Sequence, residues 1–291
     1  MKLSMSLPTM AGGLDRGCLR EWCEAVEAGP FHAIAVGERI GYDNLEMHTT
    51  LTYAAAVTER VRIASTLTIL PMYATAWAAK SLATLDVVSG GRLDLVVGVG
   101  GRKHDFERAE RSFSGRHQRL DDQVAELRRI WSGGLVDGEP VGPRPVQTDG
   151  PPVYASAMGP KSTARAAQWA DGNMGFSLAP NTDDHTATVA TFVDAWAAAG
   201  RTERPYLSTS FWYSLGSDAE DELRRYAERY LGIFGEDAAG MMASLCTAAG
   251  VDAVLEAIAR CEAAGLDELY LVPTSADPAD LVPLLDGLRS A

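Results

Sequence analysis

Val61-Arg62-Ile63-Ala64-Ser65-Thr66-Leu67-Thr68-Ile69-Leu70 reads as a long strand, Trp77 to Val88 as a helix, and Leu93-Asp94-Leu95-Val96-Val97-Gly98-Val99 as a second strand. Both strands are apolar along most of their length, as expected where both faces of a sheet are buried, and the stretch between them is long enough for a helical crossover. A strand, a crossover helix and a strand make a parallel pair. Between the helix and the second strand, Ser89-Gly90-Gly91-Arg92 supplies two glycines that stop the helix and turn the chain back, a structural task.

The same rhythm extends in both directions. Towards the N-terminus, Lys2 to Leu7 and His32 to Gly37 read as strands, with helices over Leu14 to Ala28 and His48 to Glu59. Towards the C-terminus, a helix from Gly115 to Trp131 leads into a Gly- and Pro-rich loop, Ser132 to Pro152. Strands then follow over Val153 to Ala157, Asn173 to Ser177, Tyr206 to Leu215 and Glu268 to Val272. Helices are expected over Lys161 to Ala170, Asp183 to Ala199, Ala219 to Leu231, Asp237 to Ala248, Val251 to Ala264 and Asp280 to Arg289. Eight strands alternating with helices predict a (β/α)8 TIM barrel, one domain over residues 1–291, with a helical insertion near Gly232 to Gly250.

Of 291 residues, 46% are apolar and 22% charged, a balance that favours a buried core over disorder. The 39 acidic and 26 basic residues leave a net charge of −13 with no local basic patch, so neither nucleic acid nor a membrane surface is an expected partner. Cys18, Cys23, Cys246 and Cys261 form no C-x-x-C pair and have no suitably spaced histidines, so neither a metal site nor a disulfide framework is implied. Met1 to Pro8 is too short and polar for a signal peptide, and no apolar run approaches the roughly 18 residues of a membrane span. A cytoplasmic protein is expected.

Val61 to Pro71, then Leu85-Asp86-Val87-Val88-Ser89-Gly90-Gly91-Arg92-Leu93, then Gly98-Val99-Gly100 resembles the bacterial-luciferase-like flavin and deazaflavin oxidoreductases, in which these motifs follow in this order. Further matches are Pro151-Pro152-Val153-Tyr154 leading to Met158-Gly159-Pro160, Ala170-Asp171-Gly172, and Ala264 to Leu269. The likeness is weakest from about Thr182 to Gly250. The resemblance implies an oxidoreductase acting on a small-molecule substrate, with reduced FMN or the deazaflavin coenzyme F-420 at the C-terminal mouth of the barrel. With FMN the chemistry would be monooxygenation, served by a separate flavin reductase. With the deazaflavin, whose carbon at position 5 blocks oxygen activation, it would be hydride transfer. A homodimer through helices of the first half is also implied, and Leu51 to Val57 is small and apolar enough to serve it or the core.

Barrel active sites lie at the C-terminal ends of the strands. Thr66-Leu67 matches a non-proline cis peptide that the family often holds in its third strand, where a bulge supports the back of the flavin ring; the alternative is an ordinary trans strand. Gly98 and Gly100 either let a planar ring approach the backbone or serve tight turns, and no G-x-G-x-x-G follows. Arg102 either offers a cation to a cofactor phosphate or a substrate carboxylate or is only a surface charge. Ser156-Ala157-Met158-Gly159 precedes a helix whose N–H groups and dipole could hold a phosphate, or it simply caps that helix.

Glu38-Arg39 follows the second strand, where relatives carry Glu-His or Asp-His and use the histidine to move protons. Arg39 stays protonated, so it can hold an anion but cannot shuttle a proton. Glu38 could take over if burial raised its pKa, or could pair with Arg39. His104 is the histidine best placed for a shuttle, with a surface position as the alternative. These three are the catalytic candidates. Phe176, Trp212 and Tyr213 are expected in a pocket wall, and Trp77 and Phe106 in the core. A non-catalytic ligand-binding barrel is the rival that Arg39 favours and the many polar strand ends oppose.

Overall fold

The computed structural model describes residues 1–290. In chain order the strands are β1 (Lys2–Ser6), β2 (Ala33–Val36), β3 (Arg62–Thr68), β4 (Leu93–Val97), the hairpin β5 (Leu135–Val136) and β6 (Glu139–Pro140), then β7 (Val153–Ala155), β8 (Gly172–Met174), β9 (Tyr206–Tyr213) and β10 (Glu268–Pro273). All but the hairpin close into a parallel barrel in the order β1-β10-β9-β8-β7-β4-β3-β2, with Lys2 opposite Glu268 at one seam and Met5 opposite Ile34 at the next. The helices are α1 (Arg16–Ala28), α2 (Met47–Val57), α3 (Thr75–Val88), α4 (Lys103–Arg108), α5 (Arg116–Trp131), α6 (Pro160–Ala166), α7 (Thr182–Ala198), α8 (Ala219–Leu231), α9 (Glu236–Ala243), α10 (Val251–Ala263) and α11 (Leu281–Ser290). This is the expected (β/α)8 barrel. Among the described residues no helix is long and apolar enough to cross a membrane.

Period-two alternation sorts the strand residues between two cores. Ile34, Ile63, Leu95, Phe211 and Leu269 pack outward against Leu51, Leu82, Val124 and Trp196 of the helices. Ala33, Ala35, Ala64, Val96, Met174 and Tyr270 pack together inside the barrel, where they leave a narrow, small-residue lining. Towards the N-terminal end the filling is polar: Glu268 accepts from Ser4 and from Tyr206 at 2.9 Å, and Arg62 Nη2 donates to Asp94 at 2.6 Å. A third cluster sits over the opposite end. Trp212, Leu223, Tyr226, Leu231, Ala239 and Ala243 pack with Met10 and Val272, so α8 and α9 cover the C-terminal mouth.

The Ser-Gly-Gly-Arg stretch has the structural task expected of it. Gly90 and Gly91 turn at φ 66° and 81°, and the Arg92 guanidinium donates to the carbonyls of Val61 (2.6 Å), Thr58 (2.8 Å) and Ala55 (2.9 Å). It thereby ties the end of α2 to the turn before β4. Asp86, fully buried on α3, accepts from the backbone of Val146 (2.7 Å) and from the side chain of Gln147 (2.8 Å), which pins the Gly- and Pro-rich loop.

Several expectations are corrected. β3 ends at Thr68 because Leu70–Met72 winds into a 3-10 turn in which Pro71 has no N–H for a ladder. The helix expected over Asp237 to Ala248 stops at Ala243, and the chain returns so that Gly250 donates to Ser214 at 2.8 Å. Neither α4 nor the β5–β6 hairpin was expected. Trp77 is 66% exposed rather than core. Tyr213 belongs to the outer core, with its hydroxyl on Met5 Sδ, because adjacent residues of a strand face opposite sides and Trp212 takes the mouth.

Candidate active site

Beyond β2 the chain passes Gly37, which lies so close to the Thr66 carbonyl that a Cβ would stand 3.1 Å from its oxygen. Glu38 follows, and its carboxylate reaches across to the end of β3. Oε2 accepts from the Ile69 N–H at 2.6 Å, and Oε1 accepts from the Tyr73 hydroxyl. Burial pushes the Glu38 pKa up to about 7, outweighing these hydrogen bonds, with Glu46 and Asp105 adding repulsion. The Tyr73 ring meets His48 edge-on at 5.4 Å; burial depresses the His48 pKa, and its Nε2 has no hydrogen-bond partner. Sequence reading missed Tyr73 and His48, which carry no motif and reach Glu38 only through folding.

The Thr66-Leu67 peptide bond is cis, and the β3–β4 register shifts between Ser65 and Thr68. Leu67 turns towards the interior cluster and fills the place a Cβ on Gly98 would take, 2.9 Å from Leu67 Cδ1. Gly100 has φ +65°, and a Cβ there would meet Ile69 at 2.7 Å. Packing against Leu67 and Ile69 thus asks for glycine at both positions. Thr68 Oγ1 is buried beside them without a partner among the described residues.

Arg39 does not pair with Glu38. Its side chain is 8% exposed and lies over the rings of Tyr42 and Tyr230, with Cζ 4.7 and 5.2 Å from their centroids. Its Nε stands 3.5 Å from Asp105 Oδ2. Arg102 lies over the same Tyr230 ring at 5.0 Å and donates to the Tyr230 carbonyl at 3.0 Å. His104 points elsewhere: its side chain is 73% exposed on α4 and its Nδ1 is 3.1 Å from Glu107. The fold brings Glu38, Thr66, Leu67, Gly98, Arg39 and Arg102 to one end of the barrel and leaves His104 at the surface.

Three of the four N–H groups of the Ser156-Ala157-Met158-Gly159 loop are already spent on the protein's own contacts. The N–H of Ser156 donates to Val97 (2.9 Å), that of Ala157 to the Asn173 side chain (2.8 Å), and that of Gly159 to Ser162 Oγ (3.0 Å). Met158 is 84% exposed and α6 has only seven residues, so the loop is first of all a helix cap. Phe176 packs tilted against Trp212 at 4.6 Å, and Trp212 meets Tyr230 edge-on at 4.9 Å. These rings form the apolar wall at the mouth.

Ionisable, unpartnered and aromatic groups gathered where β2, β3, β4 and β9 end are what barrel enzymes present at the C-terminal face, and this chain is built as one of them. Residues 4–268 match the model of the luciferase-like monooxygenases, and the chain belongs to that family of oxidoreductases. The pyrimidine monooxygenase RutA of Escherichia coli O8 (strain IAI1) is 31% identical over 212 residues, 67% of this chain and 53% of that protein. RutA of Cronobacter turicensis is 30% identical over 213 residues, 67% of this chain and 54% of that protein. The chain thus spans about half the length of the curated relatives it matches.

Among solved structures, the monooxygenase RslO1 from Streptomyces bottropensis superposes with a TM-score of 0.80 at 21% identity, covering 100% of this chain and 99% of that one. An F-420-dependent secondary alcohol dehydrogenase in complex with an F-420–acetone adduct gives 0.79 at 19% identity, with the same coverage of 100% and 99%. The oxygenating constituent of 3,6-diketocamphane monooxygenase from Pseudomonas putida, in complex with FMN, gives 0.72 at 16%, covering 99% and 96%. These three share the fold.

Proposed function

We propose that this chain is a flavin-dependent monooxygenase that uses reduced FMN on a small organic substrate at the C-terminal mouth. The observation that carries the reading is the register shift between Ser65 and Thr68 at the end of β3, which stands where the resemblance calls for a bulge behind the flavin ring. Its surroundings suit a flat ring with a polar edge. The interior lining of Ala33, Ala35 and Ala64 is small, and the buried Thr68 hydroxyl offers a hydrogen bond that nothing among the described residues takes. Leu67 and Thr68 would hold the ring, and when bound it supplies the electrons and the oxygen-activating chemistry.

The chain's own groups do the rest. Glu38, with a pKa near 7, holds or releases a proton at Oε1 or Oε2 and takes the place of the histidine that Arg39 replaces. The rings of Trp212 and Phe176, with Tyr230 of α8, exclude water from that exchange. A separate flavin reductase would supply the reduced cofactor. Pairing of two chains is a further proposal. Leu51, Ala54 and Ala55 of α2 are spent on the chain's own core, which leaves Thr52, Ala56 and Val57 outward. Light scattering tests it, and a clean monomer at micromolar concentration would overturn it.

The test of function is an anaerobic titration with FMN, reduced FMN and F-420, followed by absorbance or fluorescence. Tight binding of reduced FMN supports monooxygenation. A preference for F-420 moves the reading to hydride transfer, and binding of none leaves a ligand-binding barrel.

A further inference from the structure

We propose, resting on the reading that substrate enters at the C-terminal mouth, that this substrate carries a carboxylate and that Arg39, Arg102 and Arg229 hold it over a platform of tyrosine rings. Arg39 is the core of the argument. Its side chain is 8% exposed, yet Nε and Nη1 are buried without a hydrogen-bond acceptor among the described residues. Among the described residues the one carboxylate paired with it, Asp105, is itself buried. Asp105 spends Oδ1 on the Gly41 N–H at 2.8 Å and leaves Oδ2 3.5 Å from Nε, with no hydrogen bond between them. Buried guanidinium donors without acceptors are costly, and a charged acceptor brought by a ligand removes that cost.

Two more guanidinium groups join it. Arg102 shares the Tyr230 ring with Arg39, and Arg229 shares the Tyr42 ring at 5.2 Å and reaches the Tyr226 ring at 5.8 Å. Each donates to a backbone carbonyl, Arg102 to Tyr230 and Arg229 to Met10. Neither has a carboxylate within ion-pair distance among the described residues, in a protein whose net charge is −13. After burial, repulsion from Arg39 is the next influence depressing the Arg102 pKa, as expected of cations left short of counter-charge.

An anion here could be a cofactor phosphate or a substrate carboxylate. Position favours the substrate: Arg39 adjoins Glu38, the proposed proton-transfer group, whereas a phosphate tail lies away from the reacting ring. The rings of Tyr42, Tyr226 and Tyr230 suit a planar, aryl-like body behind the carboxylate.

The experiment is calorimetric titration of the full chain with benzoate, its neutral analogue benzamide, and inorganic phosphate, each also run for R39Q, R39K, R102Q and R229Q. The expected result is benzoate binding that benzamide does not match, weakened about tenfold or more in R39Q and R102Q and partly restored in R39K. Benzoate affinity should fall with salt, and it should fall further as pH rises through about 7, where Glu38 beside Arg39 ionises while the guanidinium groups stay charged. Arg229 lies exposed on α8, so R229Q tests the cluster without disturbing a buried side chain. Equal binding of benzoate and benzamide, or benzoate affinity unchanged in R39Q, R102Q and R229Q, overturns the proposal. Phosphate binding tighter than benzoate and displaced by FMN but not by riboflavin also overturns it, in favour of a cofactor site. Titration of the same variants with reduced FMN separates the two readings. Flavin binding without benzoate binding sinks only the anion site, and benzoate binding without flavin binding sinks only the flavin reading.

Discussion

Tyr73 donates its hydroxyl hydrogen to Oε1 of Glu38, so a residue beyond the end of β3 sets how readily the carboxyl beyond β2 ionises. Burial drives the Glu38 pKa up to about 7 and this bond opposes it. Y73F should therefore raise the Glu38 pKa further, by about one unit, the worth of a hydrogen bond to a charged group. Carboxyl-carbon NMR of the isolated protein reads this without any turnover. An unchanged or lower pKa would remove Tyr73 from the network.

E38Q should lower turnover by about 10²- to 10⁴-fold, the range for a positioned acid or base, with a smaller effect on KM. The pH–rate limb near 7 should vanish with it. If the limb persists in E38Q, another group carries the proton.

The same raised pKa makes a stability statement. A carboxyl whose pKa is higher in the folded chain than its ordinary 4.5 contributes stability that is fully present below that value. It is lost as pH rises through about 7. Thermal melts of the wild type should decline relative to E38Q between about pH 5 and pH 8 and run parallel above that. A constant offset across the range would mean that Glu38 is not raised.

Gly98 and Gly100 answer to packing. G98A places a Cβ 2.9 Å from Leu67, and G100A adds a φ of +65° to a 2.7 Å approach to Ile69. Urea unfolding should show a loss of about 1–3 kcal/mol for G98A, with more for G100A and partial recovery in G98A/L67A.

Asp86 anchors the loop before β7 through Val146 and Gln147. D86A strands buried donors at about 1–3 kcal/mol each, so it should both destabilise the barrel and speed proteolysis within residues 132–152. Limited digestion with mapped cleavage sites checks this.

His104 should be dispensable. Its side chain is 73% exposed and its partner is Glu107 on the same helix. H104A should leave turnover within about twofold and stability within about 0.5 kcal/mol.

The parallel barrel was legible in the sequence because it rests on local patterns: apolar strand-length runs, helical period between them, and the Ser89-Gly90-Gly91-Arg92 stop. So was the end of the barrel at which Glu38, Arg39, Thr66, Leu67, Gly98 and Arg102 gather, since position after a strand fixes the end. Element boundaries were less legible where tertiary contacts end a strand or helix, as with the 3-10 turn at Leu70–Met72.

Closure decided the rest. Which side chain meets Glu38 depends on how β2 and β3 lie in register, and that brought Tyr73 within reach and left His104 outside. Whether Arg39 pairs with Glu38 or Asp105 depends on how the loop after β4 folds against the loop after β2. Whether the Ser156–Gly159 N–H groups are free depends on Val97, Asn173 and Ser162. Periodicity records which face of an element is buried, but which partners two distant segments offer each other is set only when the eight strands close and the helices pack around them.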